Sequence, residues 1–360
     1  MICVVYGTTG ELIKLAPVLT RLRDRGGTTL TATTGQQVQQ IPPLLELLGL
    51  PQPDLWLGRG AGGRDLMRNA DIPGWLLDVT STFARQRRGL RRRLGAHPLV
   101  LVHGDTMTTV LGTLMGRALR VPVAHIEAGV RTFDPLHPFP EELNRRAVSR
   151  LAQIHYAPGA AAAANLHRGI VVDTGGNTIR DAVALAPPVE LELEGIDRPY
   201  GIVSLHRYEL LRHRALLDAT LETLARHAAT TQLLFVDHPV TVAAIERFGL
   251  GDRFAAPGFR RIDRLGFFGF VELLRGAALV VTDSGGSQVE SWLLDVPCLV
   301  HRKVVEQPEG VGENVVVSGL GVGVLDDFLA DPSRFRRRHP LPAVSPADMI
   351  VADLEARGFI

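Results

Sequence analysis

Five apolar runs in this chain stop at residues able to move protons or hold anions. LVLVHGD stops at Asp105, VPVAHIE at Glu127, GIVSLH at His206, LLFVDH at His238, and ALVVTDS at Asp283 and Ser284. Two carboxylates at the ends of successive strands repel each other once a site closes over them. That raises one pKa and equips the pair for acid/base work. Taken singly, Asp105 reads more simply as the N-cap of a helix opening at HGDTMTT, and Glu127 is evenly balanced between turn residue and acid. Their joint occurrence at adjacent strand ends favours chemistry. FPEELNRR adds a third acid: Pro140 suits a first helical position, and Glu141 with Arg145 has the spacing of an ordinary i,i+4 ion pair. If that face lines a site, Arg145 positions Glu141 beside a substrate; a solvated surface pair is the simpler reading.

The stretch VVTDSGGSQVESWLL is too small and polar for plain packing. It is not a nucleophile elbow, because Ser284 lies between Asp283 and Gly285, whereas the elbow centres its serine between glycines. It reads instead as an anion cradle: glycines let backbone N–H groups approach a ligand, and a helix beginning near Ser287 points its positive dipole end at it. Many such turns bind nothing. His206 and Arg207 in SLHRYE suit a phosphate or a leaving group, His as charged donor and Arg as fork; the plain alternative is a histidine capping the next helix. His103, Asp105 and His125 lack an H-x-x-x-H or H-E-x-x-H helix, so no metal is expected.

These residues need a scaffold that brings strand ends together. ICVVYG, TTLTATTG, LVLVHGD, VPVAHIEAG and QIHYAP are short β-branched runs, each followed by a longer amphipathic segment. The pattern restarts with GIVSLHR, TQLLFVDHP, a loop around FRRIDRLGFFGF, ALVVTDSGG and VPCLVHR. This alternation predicts an α/β protein of two Rossmann-like, doubly wound parallel sheets. The expected domains are 1–174 and 175–346, with the seam at the glycine turn TGGNT, Thr174 to Thr178, and with a last helix in 347–360 packing back on the first. Ligands collect at the carboxyl ends of such strands, so the two halves are expected to face each other across a polar cleft.

With 360 residues, two cores are the default. The balance of 39 basic and 38 acidic residues gives +1, so no global field attracts nucleic acid or a membrane. The run Arg85 to Arg93, RQRRGLRRR, has no interleaved aromatics and reads as a solvated helix face. Cys3 and Cys298 lie in apolar segments as small hydrophobes, which suggests a reducing cytoplasm. No basic leader or membrane-length apolar run appears, so a soluble, cytoplasmic protein is expected.

Taken together, GTTGELIKLAPV, VHGDTMTTVLG, HIEAGVRTFDPLHPFPEELNRR, GNTIRDA, TDSGGSQVES and VHRKVVEQPEGVGEN resemble, in order and spacing, the UDP-N-acetylglucosamine 2-epimerase family, its bacterial non-hydrolysing branch most of all. The resemblance covers nearly the whole chain. It implies the glycosyltransferase-B architecture, a UDP-sugar substrate, a homodimer and no cofactor. It implies elimination of UDP anti across C1 and C2 to 2-acetamidoglucal, followed by syn re-addition. It implies Asp105, Glu127 and Glu141 as acid/base groups supported by Lys14 and Arg145, with His206 at the diphosphate. It places the diphosphate at Ser284, Gly285 and Gly286 and the ribose at Glu290, with Arg207 also on the substrate and Arg302 and Glu306 in the matching segment beyond. Gln36, Gln39, Arg207 and His238 match parts of an effector site for a second UDP-N-acetylglucosamine. The chain also departs from the pattern. Thr9 and Tyr208 replace arginines, Val289 a glutamate, Gln307 an arginine and Gln37 a histidine, so three cationic positions are neutral and the donor sugar is open. A hydrolysing epimerase, a glycosyltransferase on the same fold and a catalytically silent nucleotide-sugar sensor remain alternatives.

Overall fold

Strands buried on both faces need continuous apolar runs, which is what the sequence supplies. The structure, a computed structural model, describes residues 1–134, 139–193, 195–196, 199–305, 308–341 and 343–360. Among the described residues the chain forms two compact units, 1–185 with 343–360, and 186–342.

The first unit is built on β1 (Ile2–Tyr6), β2 (Thr29–Thr33), β3 (Leu55–Trp56), β4 (Leu99–His103), β5 (Val123–Ile126), β6 (Ile154–Ala157) and β7 (Ile170–Asp173). They form one parallel sheet in the order β3-β2-β1-β4-β5-β6-β7. β1 sends Ile2, Val4 and Tyr6 into one core and Cys3 and Val5 into the other, so a helical layer covers each face. Burial of such side chains contributes about 1.5–3 kcal/mol each. The second unit repeats the plan with β8 (Tyr200–Ser204), β9 (Leu233–Val236), β10 (Phe259–Ile262), β11 (Ala277–Thr282), β12 (Cys298–Val300) and β13 (Val315–Val317). Their order is β10-β9-β8-β11-β12-β13, again parallel.

In both sheets the strand order reverses at one point, between β1 and β4 and between β8 and β11. Open α/β sheets bind ligands there, where neighbouring loops diverge. Asp105 follows β4, His206 follows β8 and Asp283 follows β11, so the sequence's unusual polar residues stand at these two positions.

The fold departs from the sequence expectation at the edges. β3, β7 and β13 were not legible, being two to four residues long or, for β7, largely exposed. FRRIDRLGFFGF is not a loop but β10 followed by helix Phe267–Arg275; two exposed arginines on an edge strand had masked the pattern. The division between units falls after Leu185. Helix Ile179–Ala184, beyond the glycine turn, packs with the first unit on helices Thr9–Asp24 and Pro346–Ala356. Buried Asp181 explains this: it accepts from Ser345 Oγ at 2.5 Å and from the Ala347 N–H at 2.9 Å, and lies 3.2 Å from the Arg21 guanidinium. Cys3 and Cys298 are unbridged and fully buried, and burial pushes both thiols up to about 12, so neither is a nucleophile. No described helix is long and apolar enough to cross a membrane.

Candidate active site

Asp105 is not the cap of the helix that follows it. Thr106 takes that role, accepting from the Thr109 N–H at 3.3 Å, and helix Met107–Leu119 begins behind it. Freed from capping, the Asp105 carboxylate pairs with the Arg145 guanidinium, while Asn144 Nδ2 donates to the Asp105 carbonyl at 2.8 Å. Burial pushes the Asp105 carboxyl up, Arg145 pulls it down, and the charge of Glu127 pushes it up again.

Glu127 ends β5 with φ of 65°, a left-handed conformation that costs a non-glycine residue about 1–2 kcal/mol. Its Oε2 accepts from Lys14 Nζ at 2.6 Å and from Asn177 Nδ2 at 2.6 Å, and His103 Nε2 lies 3.5 Å away. Burial pushes this carboxyl up, but Lys14, His103 and Asn177 outweigh it and hold Glu127 at about 2. Burial drives His103 down to about 3, so it stands as a neutral ring beside the carboxylate. The two acids therefore differ: one is firmly ionised, the other is held nearer to protonation. That separation is what a proton-transfer pair requires.

Glu141 opens helix Glu141–Leu151, but it does not make the i,i+4 pair with Arg145 that its spacing suggested. Arg145 is taken by Asp105 and also lies 3.8 Å from Glu142. Oε2 of Glu141 is buried with no hydrogen-bond partner among the described residues. An acceptor left in that state is stabilised by a donor, which a ligand can bring.

At the reversal point of the second unit, Asp283 is fully buried and organises the loop after β8. Its Oδ2 accepts the N–H groups of His206 at 2.8 Å and Arg207 at 2.7 Å, and its Oδ1 lies 3.3 Å from His206 Nδ1. Burial pushes Asp283 up to about 6. His206 does not cap the next helix; its ring stacks on His238 at 4.8 Å between centroids. Burial, then the charges of Arg207, Arg264 and Arg302, push His206 down to about 4. Arg207 is exposed, and Arg302 Nε donates to Glu209 at 2.9 Å. Helix Gly285–Leu293 begins two residues earlier than expected, with Ser284 as N-cap. The Ser284 N–H is less free to donate than the cradle reading supposed, since it goes to Thr282 Oγ1 at 3.1 Å; the Oγ accepts from the Ser287 N–H at 3.4 Å and keeps its own proton to donate. Gly285 and Gly286 form the first turn, where N–H groups have no intrahelical acceptor. A Cβ on Gly286 would stand 3.8 Å from Glu290 Oε1, so a backbone approach and an acid adjoin here.

Gln36 and Gln39 lie after β2 in the first unit, where the Gln39 N–H donates to Asp65 at 2.8 Å; Arg207 and His238 belong to the second unit. Glu306 and Gln307 lie outside the described residues. Among the described residues no three His, Cys, Asp or Glu side chains group as a metal site requires. Sequence reasoning assigned no role to Asn177, although it sits in the quoted motif GNT, and placed Asp283 at a strand end without foreseeing that it organises the loop after β8.

The family model for UDP-N-acetylglucosamine 2-epimerase matches residues 94–323, a span that contains Asp105, Glu127, His206 and Asp283. The chain belongs to the UDP-N-acetylglucosamine 2-epimerase family. The family's UDP-N-acetylglucosamine 2-epimerase from Yersinia pestis is 32% identical over 336 residues, 87% of this chain and 85% of that protein. Among solved structures, UDP-GlcNAc 2-epimerase from Methanocaldococcus jannaschii superposes with a TM-score of 0.81 at 25% identity, covering 99% of each chain. The same archaeal enzyme in complex with UDP-GlcNAc and UDP gives 0.74 at 25% identity, again over 99% of each. Thr9 and Gln37, which the sequence reading took as departures from the pattern, meet in this protein. The Thr9 N–H and Oγ1 both donate to Gln37 Oε1, at 2.6 and 2.9 Å. The two neutral replacements thus satisfy each other.

Proposed function

We propose that this protein interconverts UDP-N-acetylglucosamine and UDP-N-acetylmannosamine, as an isomerase that needs no cofactor. The observation that carries the reading is the unequal pair after β4 and β5: Glu127 ionised against Lys14, and Asp105 drawn toward its protonated form and restrained by Arg145. Removing the weakly acidic C2 proton needs positioned carboxylates, and the departing diphosphate needs donors. Asp105, Glu127 and Glu141 serve as acid/base groups, Lys14 and Arg145 hold them, and His206 meets the diphosphate with Arg207 and Arg302 nearby in charge. Ser284, Gly285 and Gly286 receive the diphosphate and Glu290 the ribose. UDP leaves anti to the C2 proton, giving 2-acetamidoglucal, and returns syn after the proton reaches the other face. Gln36, Gln39 and His238 belong to an effector site, and the enzyme works as a cytoplasmic homodimer; its two unbridged cysteines suit a reducing compartment.

Incubation with UDP-N-acetylglucosamine in D₂O tests this by NMR. Deuterium at C2 of a UDP-linked manno sugar is expected; free N-acetylmannosamine would mean that water intercepts the glycal, and binding with neither exchange nor release would overturn the reading. Asp105→Asn and Glu127→Gln should each lower kcat by about 10²–10⁴-fold, with UDP affinity retained.

A further inference from the structure

The first unit also carries a concentration of positive charge that the proposed reaction does not use. Arg131 follows the turn after β5, Arg146 and Arg150 stand one helical turn apart on helix Glu141–Leu151, and Arg168 precedes β7. All four line one cavity of about 330 Å³, a size suited to a small ligand, and none of the described residues lining it is a carboxylate.

Glu142, which pairs with Arg146 beside this cavity, is already engaged. Its Oε1 accepts from Arg146 Nε at 2.8 Å, and its Oε2 accepts from the Thr132 N–H at 3.2 Å with Arg145 3.8 Å away. Among the described residues Arg131 donates to neutral acceptors, Ser149 Oγ and the Val130 carbonyl, each at 2.8 Å. Burial pushes the Arg131 guanidinium down; Glu142 opposes this, while Arg146, Arg145 and Arg150 push it down further, so the cluster repels itself. Arg150 and Arg168 are exposed, and neither guanidinium has a hydrogen bond or ion pair among the described residues. Such a cluster stands at a cost unless an anion relieves it, and concave walls focus its field.

We propose that this cavity binds a phosphate-class anion of at least two negative charges, gripped by Arg131, Arg146, Arg150 and Arg168. Guanidinium forks match phosphate oxygens two at a time, and a single carboxylate would leave most of the charge unmet. The exposed ring of Phe133 on the rim offers a face to whatever carries the phosphate.

Calorimetric titration of the full chain with inorganic diphosphate, comparing wild type with Arg150→Gln/Arg168→Gln, tests the site. Wild type should take up one equivalent more than the double variant, or bind that equivalent at least about tenfold more tightly. Arg150→Lys/Arg168→Lys, which keeps charge but not the fork, should recover part of the binding, and thermal unfolding of each variant separates loss of fold from loss of site. UDP titrations should match between wild type and variants. A sugar phosphate binding this site more tightly than diphosphate identifies a phosphorylated metabolite as its source, and the reverse order a free anion. Equal stoichiometry and affinity for diphosphate in wild type and double variant overturns the site, as does a loss of UDP binding in the variant.

Discussion

At the residue scale, the decisive feature is that equal side chains receive unequal surroundings. Glu127 and Asp105 end neighbouring strands, yet one accepts from an ammonium and an amide while the other faces one guanidinium. Replacing Lys14 by Met strips Glu127 of its main counter-charge. Because Glu127 titrates at about 2, below its ordinary 4.5, its pairing stabilises the fold fully above pH 4.5, and that contribution is lost as pH falls toward 2. The Lys14→Met variant should therefore be less stable at pH 7 by about 1–3 kcal/mol, and the gap should shrink steadily below pH 4.5. Urea unfolding of both proteins from pH 7 to pH 3 measures it; a gap independent of pH would mean that Lys14 contributes packing and not charge. The carboxylates themselves were legible, because each terminates an apolar run. Their partners were not: Lys14 is 113 residues from Glu127, and Asn177 is 50. No local spacing fixes such contacts. Where local spacing did suggest a partner, in Glu141 and Arg145, the tertiary one took its place.

At the element scale, the helix behind Asp105 is set by two glycines. A Cβ on Gly116 would meet Val123 Cγ2 at 2.4 Å, and one on Gly112 would meet Val102 Cγ1 at 2.7 Å and Val5 Cβ at 3.1 Å. Valine side chains in a buried sheet have little room to move. Helix Met107–Leu119 thus lies close on β1, β4 and β5, which fixes Thr106 and with it the Asp105 loop. Glu11 adds a brace, accepting from Thr106 Oγ1 at 2.6 Å and from the N–H groups of Gly7 and Thr8 at 2.8 and 2.9 Å. Gly116→Ala gains helix propensity but overpacks the sheet, so a net loss of about 1–3 kcal/mol is expected. Thermal unfolding should show a lower midpoint, together with reduced turnover. An unchanged or raised midpoint would show that the helix can ride outward without harm.

At the scale of the whole molecule, the last residues complete the first unit. In helix Pro346–Ala356, Ala347, Ile350, Val351 and Leu354 are fully buried in the core that contains Ile2, Val4 and Tyr6. Asp181 and Arg21 tie its start, and Tyr156 donates to Asp353 at 2.9 Å. A chain ending at residue 342 loses about 1.5–3 kcal/mol for each large apolar side chain removed, an appreciable part of a domain's usual stability. Calorimetry of the truncated chain should show the transition of the first unit lowered or absent while that of the second remains. Parallel weakening of both transitions would contradict the assignment of this helix to one unit.

The sequence by itself determined two parallel α/β units, the polar residues at their strand ends and the family, because strand periodicity and motif order are local and survive any packing detail. Tertiary structure alone decided where the first unit ends, which residue caps the helix after β4, which cation faces which carboxylate, and that of the four arginines around the cavity beyond β5 only Arg146 has an ion pair among the described residues. Those outcomes depend on side chains distant in the chain competing for the same few oxygens, and that competition has no signature in neighbouring residues.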